Sequence, residues 1–102
     1  MKKEQLMKHM NIVKFKVKHE KLDEFNDHAF KKKSFDGMIS EYYVSTGDNT
    51  FVAIGIWESE GKMIAARPEM IAFLDKIRHT LEELSPELGV TDPASGNVVF
   101  EG

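Results

Sequence analysis

Glu24 and His28 stand four residues apart, a spacing that brings two side chains together on one face of a helix. A carboxylate and an imidazole so placed could share a metal ion or exchange a proton, although a solvated pair is the commoner use of that spacing. No third ligand and no nucleophile triad accompany them. Asn26 lies between them, close to Leu22 and Phe30 in helical angle. A buried amide there needs a partner, which a ligand in a cavity or water at the helix edge would supply. Trp57 ends the run FVAIGIW. Its indole N–H could steady a developing oxyanion, or the ring could fill space with its N–H on a backbone carbonyl. Tyr42 and Tyr43 point to opposite faces of a strand, so one could enter a cavity while the other faces a partner. Arg67, just before Pro68, could meet an acidic ligand at a helix N-terminus, or serve a turn or ion pair. Met38, Met63 and Met70 would suit a pocket lining as well as a core. Ala53 and Gly55 share the Trp57 side of their strand and leave room there, for a ligand or for a close neighbour. His19 and His79 carry no functional expectation.

The chain that must position these groups has 102 residues, enough for one domain with one modest core. No apolar run approaches the length of a membrane span. The first ten residues, MKKEQLMKHM, are basic and lack the apolar middle of a secretion signal, so they read as an N-terminal extension to a domain over residues 11–102. There is no cysteine, which leaves no disulfide framework and no thiolate chemistry and suits a reducing cytoplasm. A net charge of −3 argues against nucleic acid as a partner, since phosphate neutralisation needs the opposite sign. The basic run Lys31-Lys32-Lys33 reads as a helix terminus, where cations favour the dipole, and not as a phosphate patch.

Residues 11–18, NIVKFKVK, alternate Val13, Phe15 and Val17 with three lysines and predict a half-buried strand. Over residues 20–33, Leu22, Phe25, Ala29 and Phe30 fall at helical spacing. MISEYYVST at 38–46 and FVAIGIW at 51–57 predict two strands joined by the hairpin residues TGDNT. Ser59 is a helix N-cap, and Pro68 suits the first turn of a further helix whose apolar side runs from Met70 to Leu84. LGVTDPASG then predicts a loop and NVVFE at 97–101 a final strand. The order strand–helix–strand–strand–helix–strand is an α+β, ferredoxin-like βαββαβ arrangement with a four-stranded antiparallel sheet.

Helices on such a sheet cover one face only, yet residues 51–57 are apolar on both. Val52, Ile54 and Ile56 therefore need a partner apart from Phe51, Ala53, Gly55 and Trp57, and a second copy of the same surface is the economical one. Lys14, Lys16 and Lys18 oppose that reading unless Glu41, Glu58 or Glu101 offsets them or the face stays wet there.

IWES at residues 56–59, with a helix after it, and the pattern G-x-x-x-x-Y-Y-V at residues 37–44 resemble the antibiotic biosynthesis monooxygenase-like domains of the dimeric α/β barrel superfamily. The tail ELSPELGVTDPASGNVVFE adds the long loop into a last strand seen in many small members. The resemblance spans residues 11–101. It implies a homodimer whose sheets form a barrel, a cavity between sheet and helices, and, for some members, oxygenation without metal or flavin through a substrate carbanion that reacts with oxygen. On that basis Trp57, Asn26 and His28 are the expected catalytic residues, and Tyr42, Phe30, Met63 and Arg67 the expected contacts to a small aromatic or polyketide-like molecule. No cofactor and no membrane are expected. The oxygenases also use an asparagine and a tyrosine near the strand-end tryptophan, where this chain has Ala53 and Met63. Haem degraders need a tryptophan near Ala66, a histidine near Lys76 and a first-strand asparagine where this strand reads as hydrophobic, so haem degradation is not expected. The rivals on the same scaffold are a non-catalytic ligand-binding or stress-related homodimer and an isomerase or decarboxylase.

Overall fold

The structure, a computed structural model, describes residues 7–102. The elements in chain order are β1 (His9–Lys16), a 3-10 turn (His19–Lys21), α1 (Leu22–Lys31), β2 (Met38–Gly47), β3 (Thr50–Trp57), α2 (Glu60–Ala65), α3 (Arg67–Ile77), a second 3-10 turn (Arg78–Thr80) and β4 (Asp92–Asn97). The strands form one sheet in the order β2-β3-β1-β4, antiparallel throughout. That is the ferredoxin-like order expected from the sequence. The first six residues of the expected extension lie outside the described residues; its last two, His9 and Met10, belong to β1 and pair with Trp57 and Ile56.

The alternation in β1 works as read. Phe15 and Val17 are buried beneath α1 with Phe25, Ala29, Ile77 and Leu81. Phe15, Phe25 and Phe51 stack there with centroids 5.4–6.0 Å apart, and Tyr43 closes edge-on against Phe15. Trp57, Met63 and Ala66 form a second buried cluster under α2 and the start of α3. Ser59 caps α2, its hydroxyl accepting from the Lys62 backbone N–H at 3.2 Å. The β2–β3 hairpin turns at Asn49, whose φ of 60° an asparagine tolerates.

Three elements depart from the sequence expectation. The first helix ends at Lys31, because Lys32 already has extended backbone. The helix after Pro68 ends at Ile77 rather than reaching Leu84. Beyond it Thr80 is fully buried and its hydroxyl bonds the Ile77 carbonyl, while the backbone of Thr80 and Glu82 bonds Lys18 and Lys16. Those ladder bonds hold Leu81 extended beside Val17, so a residue at helical spacing ends up in a bridge. The last strand is DPASGN, not NVVFE. Pro93 and Gly96 signal a loop, but β4 is an edge strand, where a missing N–H costs no ladder bond. Val99 and Phe100 lie past it, exposed.

Candidate functional site

A cavity of about 460 Å³ lies between the sheet and α3. Its floor is Val13 and Phe15 of β1, Tyr43 of β2 and Ala53 and Gly55 of β3; Met70, Phe73, Leu74 and Ile77 of α3 form the roof. The volume is typical of a small-molecule site, and the walls are mostly apolar. It exists because β3 offers only Ala53 and Gly55 between the bulk of Phe51 and Trp57. The space those small residues leave is thus shared between a cavity and one neighbouring side chain.

That side chain is Asn11, whose role the sequence did not reveal. It pairs with Gly55 in register, faces the helices and lines the cavity. The Trp57 indole N–H donates to Asn11 Oδ1 at 2.8 Å. A Cβ on Gly55 would lie 2.5 Å from that oxygen and 3.1 Å from Trp57 Nε1, so glycine is what lets the bond pass over β3. Indole nitrogen can only donate, which fixes the amide with its oxygen toward Trp57 and its NH2 away from it. Among the described residues nothing accepts from that NH2. Trp57 itself is fully buried and outside the lining, so the donor presented to the cavity is the amide. Its N–H finds a side-chain oxygen where a backbone carbonyl was the structural expectation.

Polar groups also line the end of the cavity by the α1–β2 connection. Lys32 donates to Glu41 Oε1 at 2.7 Å, and its ammonium lies 4.7 Å from the Phe35 centroid and 5.7 Å from that of Phe73. The Lys32 side chain is only 7% exposed. The early end of α1 turns it inward, while Lys31 pairs outward with Asp27. The three-lysine run is therefore not one solvated terminus. Phe35 also stacks on Trp57 at 6.2 Å, linking the two polar stations of the wall. Tyr43 is raised above its ordinary pKa by burial and by the Glu41 charge, so it stays a neutral phenol in the floor.

The expected site residues scatter. Arg67 lines the cavity, at the start of α3. Met63 is buried in the cluster around Trp57, behind the lining. Tyr42 lies on the opposite sheet face, half exposed, and Tyr43 takes the inward place. Phe30 is 75% exposed because the buried stripe of α1 runs through Phe25 and Ala29 instead. Asn26 is outside the cavity, and His28 borders a separate outer groove near Lys76. Glu24 bonds His79, fifty-five residues on, and not His28. The first strand does carry an inward asparagine, contrary to its hydrophobic reading. Among the described residues no three His, Asp or Glu side chains converge as metal ligands.

No family model matches the chain, and no curated protein matches it. Solved structures do. A candidate antibiotic biosynthesis monooxygenase from Chloroflexus aurantiacus superposes with a TM-score of 0.70 at 12% identity, over 93% of this chain and 96% of that one. SnoaB, a cofactor-independent oxygenase from Streptomyces nogalater, gives 0.67 at 15% identity over 92% and 95%. A dimeric ferredoxin-like protein from an uncultured marine organism gives 0.69 at 12% identity over 94% and 91%. This chain has their fold. Other similar structures are of proteins of unknown function, and at these identities the likeness is one of architecture. No helix among the described residues is long and apolar enough to cross a membrane.

Proposed function

We propose that this chain is a cofactor-independent monooxygenase for a small aromatic or polyketide-like molecule, working as a homodimer. The observation that carries this reading is the Asn11 amide, locked by Trp57 and facing a mostly apolar cavity. An anthrone-type substrate supplies its own electrons: its acidic C–H proton passes to solvent, and the carbanion–oxyanion adds O2 to give a carbon-bound peroxide. The peroxide takes up a proton from solvent, and elimination of water with the second C–H hydrogen leaves the quinone. One O2 is consumed, one oxygen atom enters the product and the other leaves in water. Asn11 Nδ2 donates to the oxyanion, Trp57 positions Asn11, and the apolar walls exclude water. The sequence-based candidates Asn26 and His28 have no place in this scheme, since neither lines the cavity.

Oxygen uptake by metal-stripped protein with dithranol, an anthrone, tests it. Asn11→Ala should lower kcat/KM about 100-fold, the usual effect of removing one oxyanion donor. Trp57→Phe should lower it less, because the amide survives without its guide. Uptake at the uncatalysed rate would move a second reading to first place. That reading is a ligand-binding homodimer without catalysis. It is favoured by a cavity lined, among the described residues, by no histidine and by one carboxylate, Glu41, already bonded to Lys32.

The homodimer forms across the uncovered sheet face. Ile12, Ile54 and Tyr42 pair across three strands there, flanked by Met10, Ile56, Val52 and Val44. The dimeric relative of this fold supports that assembly.

A further inference from the structure

Lys32 has more hydrogen-bonding capacity than the protein uses. An ammonium carries three N–H donors. One bonds Glu41, and among the described residues no other acceptor meets it; the rings of Phe35 and Phe73 flank the ammonium at 4.7 and 5.7 Å from their centroids without accepting a conventional hydrogen bond. A cation with only 7% of its side chain left to solvent is costly unless its charge and donors are met. Among the described residues the cavity wall holds two cations, the buried Lys32 and the exposed Arg67, against one carboxylate, Glu41. The described lining therefore carries one positive charge in excess, which favours an anionic ligand over a neutral one.

We infer that the cavity recognises a planar aromatic carboxylate, with the carboxylate on Lys32 and the ring against Phe35 and Phe73. The inference rests on the proposed aromatic-binding role of this cavity and adds the charge of the ligand. A carboxylate stays ionised at neutral pH, brings two acceptor oxygens to the free Lys32 donors, and cancels the surplus charge. Glu41, Gly55 and Asn11 lie in one row across β2, β3 and β1. Neighbouring strands are about 4.8 Å apart, so Lys32 and the Asn11 amide grip opposite ends of a ligand laid across that row. Glu41 holds Lys32 in place and competes with the ligand for it.

Trp57 is the only tryptophan of the chain, bonds Asn11 and stacks on Phe35, so its fluorescence reports occupancy. The probes are anthraquinone-2-carboxylate and the matching primary carboxamide, titrated into the whole protein. The carboxylate should bind about tenfold more tightly. Lys32→Met should remove that preference, so that the variant binds the carboxylate no more tightly than the carboxamide. Glu41→Gln, which keeps shape and can still accept from Lys32, should tighten the carboxylate several-fold; it gives an independent answer should Lys32→Met fail to fold. Equal binding of both probes to the wild type, or carboxylate weakening in Glu41→Gln, overturns the inference while the aromatic site stands. Binding of neither probe overturns both.

Discussion

At the scale of single residues the site turns on three positions, one of them without a side chain. Trp57 and Asn11 come from different strands, and their bond crosses the place where a Cβ of residue 55 would be. Asn11→Ala leaves the indole N–H buried without an acceptor and should cost about 1–3 kcal/mol of stability. Gly55→Ala should also cost about 1–3 kcal/mol, since its methyl needs the space of Asn11 Oδ1. The two are not independent: truncating Asn11 removes the main clash that the new methyl of Gly55→Ala would make. Urea denaturation followed through Trp57 should therefore show the double variant less destabilised than the sum of the singles by about 1 kcal/mol. Additivity would mean that Gly55 is there for another reason.

At the scale of elements, legibility tracked periodicity. The alternation of Val13, Phe15 and Val17, the stretch MISEYYVST with its hairpin residues, and the two-sided run at 51–57 place three strands; the inward side of β2 was not legible, since Tyr43 rather than Tyr42 lines the cavity. β4 escaped because its own residues read as a loop; it is a strand only because the β1 edge supplies its ladder. Asn11 and Lys32 escaped for related reasons. One asparagine at a strand's start and one lysine within a run of three have no pattern of their own, and their direction is decided by register and by where α1 stops. His79 is a third instance. It lies on the polar side of the pattern, as expected, yet it ties the turn after α3 to α1 through Glu24. That bond, with Lys21 adding its charge, holds the Glu24 carboxyl below its ordinary value of 4.5. A depressed carboxylate stabilises the fold above its unfolded pKa, and the contribution is lost as pH falls through the folded one. Glu24→Gln should therefore lower Tm near neutrality, with a deficit that shrinks as the pH is taken from about 6 to about 3. A deficit that is constant across that window would assign Glu24 a packing role instead.

At the scale of the molecule the two faces of the sheet have different owners. One is covered by the helices and contains the cavity; the other presents Tyr42 at 55% and Val44 at 42% exposure beside Ile54 and Ile12. The lysines that oppose a dimer in the sequence pattern lie toward the hairpin end of this face, where Lys14 pairs in register with Asp92. Glu41 is on the other face with Lys32, and Glu101 is bonded to Lys8, so neither offsets them. The centre of the face stays apolar, and an apolar patch of this extent on a free surface calls for a partner. Ile54→Lys puts a charge in the middle of the patch, where a monomer can solvate it and a dimer cannot. Sedimentation should show a dimer for the wild type and a monomer for the variant at micromolar concentration, with unchanged Trp57 fluorescence because the cavity lies on the opposite face. A wild type that sediments as a monomer would leave β3 apolar on both sides without a reason in its own assembly. A variant that remains dimeric would move the contact to another surface, with Val99 and Phe100 beyond β4 the next to be substituted.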